Sequence, residues 1–60
     1  MAFFRDIDND MYDIDDLSYV TEDLIYDGHL RKRVYVAVLN NGRKVIINGG
    51  TYDRLKGEGY

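Results

Sequence analysis

The chain has no cysteine, no proline and no tryptophan, with one histidine and one serine among its 60 residues. Without cysteine there is no disulfide, no zinc ribbon and no thiol nucleophile. Small secreted domains usually rely on disulfides, so the composition favours a reducing, cytoplasmic setting. With Ser18 as the sole serine and His29 as the sole imidazole, nucleophile-plus-base catalysis has almost nothing to work with. His29, beside Gly28, reads as a turn residue. Gly49-Gly50-Thr51 lacks the lysine and the spacing of a phosphate-binding loop. No segment approaches the roughly 18 apolar residues of a membrane span, and the N-terminus has no apolar leader. The expectation is therefore a non-enzymatic protein with no cofactor, no metal and no membrane attachment. Met1 reads as the start of a short, complete reading frame.

Glycine is also unevenly supplied, with five of six at or beyond position 42. Sixty residues make one small domain (1–60), near the lower limit for folding without staples. Residues 1–9 and 57–60 are its expected loose ends.

What the chain does have is sorted charge. Residues 5–28 carry nine acids and one base, whereas residues 29–60 carry seven bases and two acids. The halves thus stand at about −8 and +5 within a net charge of −3. Nine of the eleven acids are Asp, although a solvated helix surface prefers Glu for its helix propensity.

The strongest structural signal is a pair of β-branched runs, residues 33–39 and 43–48, joined through Asn40-Asn41-Gly42. Asn-Gly suits a type I′ hairpin turn, which needs positive φ at both central residues. Centred on Asn41-Gly42, that turn places Val38 opposite Val45 and Val36 opposite Ile47. Val34, Val36, Val38, Val45 and Ile47 then share one face. A lone ribbon is marginal, so another element must cover it.

Residues 10–27 are the first candidate. On a helical wheel Met11, Ile14, Leu17, Thr21, Leu24 and Ile25 fall in one arc, with Tyr12, Tyr19 and Tyr26 as a neighbouring ridge. Against this helix stand the poor propensity of Asp and the lack of any basic partner at i+4. The alternative is a strand over residues 19–26 that turns at Asp27-Gly28 and completes a three-stranded meander. The second candidate is a helical turn at 51–56, N-capped by Thr51 after a Gly49-Gly50 break, with Tyr52 and Leu55 docked. The expected fold is α+β: a small antiparallel hairpin or three-stranded sheet, covered by an N-terminal acidic helix and a short C-terminal helical turn.

The run Asp6, Asp8, Asp10, Asp13, Asp15, Asp16 invites comparison with a calcium loop. Counted from Asp6, the glycine and bidentate glutamate positions hold Met11 and Leu17, so the loop fails at both diagnostic places. Short, rigid carboxylates interleaved with tyrosine suit docking on a basic surface shaped for a nucleic-acid backbone. Asp10, Tyr12, Asp13, Asp15, Asp16, Tyr19, Glu22 and Asp23 are the candidate partner-binding residues; the plainer alternative is a solubilising acidic face. In size, charge and lack of cysteine the chain resembles the short acidic proteins with which phages and other mobile elements disable host enzymes.

The basic half offers a second hypothesis. Arg31, Lys32, Arg33, Arg43 and Lys44, with Tyr35 for stacking, would form a small DNA- or RNA-binding surface. Net acidity opposes that use, and the same bases can instead neutralise the acidic half. A third hypothesis is a structural subunit or homodimer joined through an exposed sheet edge.

Overall fold

A computed structural model describes residues 2–60. In chain order the elements are β1 (Phe3–Arg5), β2 (Met11–Asp13), a 3₁₀ turn (Ile14–Asp16), β3 (Leu17–Asp27), β4 (Leu30–Leu39), β5 (Lys44–Ile47) and α1 (Gly49–Gly57). β1 and β2 form a two-stranded antiparallel ribbon. β3, β4 and β5 form a three-stranded antiparallel sheet in sequential order.

The N-terminal acidic helix expected over 10–27 is not formed; among the described residues the one α-helix is C-terminal. The same residues make β2, the 3₁₀ turn and an eleven-residue β3. The physical reasons lie in the segment itself. Its carboxylates have no basic neighbours one helical turn away, while Tyr19, Val20, Thr21, Ile25 and Tyr26 favour strand. Gly28 then supplies positive φ (64°) at the first position of a two-residue turn, so β3 folds back on β4. A bulge between Leu17 and Tyr19 lets both Leu17 and Val20 point into the core.

The β4–β5 hairpin forms one register away from expectation. Val38 pairs with Lys44, Ala37 with Val45, Val36 with Ile46 and Tyr35 with Ile47. The loop holds three residues, not two. Gly42 N–H donates to Leu39 O (2.9 Å) and Leu39 N–H to Arg43 O (2.8 Å), and Gly42 has φ 87°. This is a tight turn followed by a glycine bulge, the common solution for a three-residue hairpin loop. A slip of one residue exchanges the faces of a strand. Ala37, Val45 and Ile47 therefore enter the main core, while Val34, Val36 and Val38 form a separate cluster on the opposite face.

The main core contains Phe4, Leu17, Val20, Ala37, Leu39, Val45, Ile47 and Leu55. The helix extends beyond the expected 51–56, and its N-cap is Asn48, not Thr51: the Asn48 side chain accepts the Thr51 N–H at 2.8 Å. Gly49 and Gly50 form its first turn. Gly49 lies against the Tyr35 ring, where an added Cβ would meet Cε2 at 3.5 Å. Leu55 is fully buried, and Tyr52 stacks on Tyr35 with centroids 4.5 Å apart. The core ends well before the sheet does. Every residue from 21 to 33 is exposed, so the far half of the β3–β4 hairpin is an arm, and the molecule measures 41 × 22 × 19 Å.

Candidate functional site

Asp6 organises the connection between β1 and β2. Its Oδ1 accepts the Asp8 and Asp10 N–H groups at 2.9 and 3.0 Å, and its Oδ2 accepts the Tyr12 hydroxyl at 2.9 Å. Burial pushes this carboxyl up, but the Tyr12 hydroxyl, the two backbone donors and Arg43 together hold it below its ordinary value. The same hydrogen bond to Asp6 raises the Tyr12 phenol, with burial and the Asp6 charge adding to it. Asn9, at φ 70°, closes the turn. Asp13 has the equivalent role at the following turn, capping the 3₁₀ segment by accepting the Asp15 N–H at 2.9 Å. The Asn40 N–H and side chain then tie Asp16 O and Asp15 O to the far hairpin at 2.8 and 3.0 Å.

These bonds leave the carboxylates of Asp8, Asp10, Asp15 and Asp16 exposed on a fixed backbone. Arg43 and Lys44 line the same shallow recess as Asp6, Asp8 and Asp10. Among the described residues no three acidic or imidazole side chains converge as metal ligands would.

The eight expected partner-binding residues fall in different places. Asp13, Asp15 and Asp16 lie at the 3₁₀ turn, whereas Asp10 lies at the other end of β2, in the loop that Asp6 organises. Tyr12 serves the fold, stacked on Phe4 with centroids 5.4 Å apart beneath the Arg43 guanidinium at 6.0 Å. Tyr19, Glu22 and Asp23 belong to β3. By strand alternation Tyr19 and Asp23 share the face of the valine cluster, while Glu22 shares the helix-covered face with Val20. The ridge of Tyr12, Tyr19 and Tyr26 does not form, because a spacing of seven puts Tyr19 and Tyr26 on opposite faces of a strand.

The basic set is divided more sharply. Arg31 and Arg33 lie on one face of β4 and Lys32 on the other. Arg33 forms an exposed ion pair with Glu22, Nε to Oε2 3.7 Å. Tyr35 is taken up by its stack on Tyr52. Arg43 and Lys44 sit at the opposite end of β4, Lys44 paired with Val38, next to the acidic loop.

The arm's exposed apolar side chains, Leu24, Ile25, Tyr26 and Leu30, are absent from the expected set. The sequence carried no signal for them, because its two runs, 33–39 and 43–48, are nearly equal in length, whereas in the fold a four-residue β5 leaves part of a ten-residue β4 uncovered. No helix among the described residues is long and apolar enough to cross a membrane. No protein-family model, curated protein or solved structure matches the chain.

Proposed function

We propose that this chain is a non-enzymatic, cytoplasmic binding protein of the phage or mobile-element inhibitor type. It docks its carboxylates on a basic surface of a nucleic-acid-handling protein. One observation carries this reading: Asp10, Asp15 and Asp16 are exposed on backbone that is fixed by hydrogen bonds to the Asp6 and Asp13 carboxylates and from Asn40. Carboxylates held in place lose little freedom on meeting a row of Lys and Arg, so more of the attraction appears as affinity. Tyr19 and Asp23 continue along the valine-cluster face of β3, whereas Glu22 lies on the other face, paired with Arg33. The division of Arg31, Lys32 and Arg33 from Arg43 and Lys44 argues against the basic side chains acting as one nucleic-acid surface.

The test is capture from nuclease-treated bacterial lysate on the immobilised protein, eluted by a salt gradient. The reading expects a nucleic-acid-handling protein released at moderate salt, since screening weakens exposed charge pairs. It also expects loss of capture by the Asp13→Asn/Asp15→Asn/Asp16→Asn variant. An Asp10→Asn/Asp15→Asn/Asp16→Asn variant, which spares the Asp13 cap, separates docking from folding. Full retention by both variants contradicts the proposal.

A further inference from the structure

β4 outlasts its neighbour. β5 pairs only with residues 35–38, so that side of β4 is bare over residues 30–34. The Leu39 N–H points toward β5, where it meets Arg43 O. Backbone groups alternate sides along a strand, so Arg31 and Arg33 turn their N–H and C=O groups outward on the bare margin. These four groups have no hydrogen-bond partner among the described residues. The opposite margin of the sheet is partly closed. On β3 the Val20 N–H donates to Tyr60 O at 3.3 Å, and the Leu24 N–H donates to Asp23 Oδ1 at 2.8 Å.

Two further features coincide with the bare margin. Its side chains are Arg31, Lys32 and Arg33, and no acid occurs between Leu30 and Leu39. Beside it opens a recess of about 260 Å³ whose lining includes Ile7, Ile25, Val34 and Ile46 together with Lys32 and Arg33. Backbone donors and acceptors in strand spacing and an adjoining side-chain recess are the components of strand-addition recognition, and the positive charge selects for an acidic partner.

We infer that the open edge of β4, residues 30–34, is a docking site for an extended acidic segment of a partner protein. The segment adds as a strand beside β4, sets carboxylates on the face of Arg31 and Arg33, and places an aliphatic side chain in the recess on the face of Lys32 and Val34. A second copy of the chain is a poor occupant. β4 against β4 would bring Arg31, Lys32 and Arg33 onto their own kind, and like charges across strands repel. This surface is separate from the carboxylates of the 3₁₀ turn, so either can fail alone.

The test measures amide hydrogen exchange by NMR on the whole protein, with and without a capped peptide of alternating Glu and Val. The peptide is about seven residues long, an ordinary strand length. At saturation, exchange at the Arg31 and Arg33 amides should slow by about tenfold or more. A Lys/Val peptide should leave both unchanged. Arg33→Pro removes an outward N–H while sparing the β3 ladder. It should bind the Glu/Val peptide about tenfold more weakly than Arg33→Ala, the loss expected for one backbone hydrogen bond and its blocked neighbour. No slowing at these amides, equal slowing by both peptides, or equal affinity of the two variants overturns the inference. Slowing that grows with protein concentration alone also overturns it, since the occupant is then a second copy.

Discussion

Asp6 and Gly42 each decide the course of a loop, and both act through backbone geometry. The folded surroundings of Asp6 lower its pKa below 3.8, its ordinary value. Its contribution to stability is therefore complete above that value and lost as pH falls through the lower folded value. Thermal melts between about pH 6 and pH 2.5 should fall more steeply for the wild type than for Asp6→Asn in the acid limb. Parallel curves would contradict the role assigned to this carboxylate. Gly42 sits at φ 87°, where any Cβ is strained although the space around it is open. Gly42→Ala should cost roughly 1 kcal/mol in urea unfolding. The acid run was plain in the sequence, but its division into fold-holding Asp6 and Asp13 and exposed Asp8, Asp10, Asp15 and Asp16 was not. That division depends on a turn closed by Asn9 in the left-handed region, which no spacing of acids encodes.

At the scale of elements, β3 carries the main lesson. Its apolar residues fit a helical arc nearly as well as a strand, because Leu17, Thr21, Leu24 and Ile25 satisfy the three-and-four spacing. What decided for the strand was the uncompensated charge along the segment and the Asp27-Gly28 turn, which brings β3 back along β4. The two arrangements differ in a measurable way. A helix buries Leu24 with Leu17, whereas the strand leaves Leu24 51% exposed and buries Val20 to 1%. Val20→Ala should cost roughly 2 kcal/mol, and Leu24→Ala should stay within about 0.5 kcal/mol. The reverse order in urea unfolding would restore the helix. The β4–β5 hairpin was legible as a hairpin, yet its faces were not. Asn40-Asn41-Gly42 supports both a two-residue and a three-residue loop, and the choice moves the register by one. The tail helix was legible in kind, but its Asn48 cap lies before a Gly-Gly pair that normally marks a break. Leu55→Ala, at a fully buried position on α1, should cost about 3 kcal/mol. For a chain of this size that is a large share of total stability, so the variant should melt near ambient temperature.

Over the whole molecule, the sorting of charge is the feature that sequence and structure share. Most of the acids collect around the β1–β2 loop, the 3₁₀ turn and β3; most of the bases follow β4 and the turn after it, with Arg54 and Lys56 on α1. The fold brings some of the two groups side by side, Arg33 with Glu22 and Arg43 with Asp6, and leaves the rest facing outward. Such exposed pairs are individually weak, so they bias the arrangement more than they set its stability. The core occupies only one half of an elongated molecule, and the other half is an exposed two-stranded arm. Strand lengths determine that arm, and those lengths could be judged only once β3 was known to be a strand. The most direct measurement is hydrogen exchange at every backbone amide, in the free protein and with the captured partner bound. The account predicts new protection over residues 10–23, around the 3₁₀ turn and the first half of β3. Protection confined to residues 31–35 and 43–44, with 10–16 unchanged, would contradict it and assign partner binding to the basic side chains.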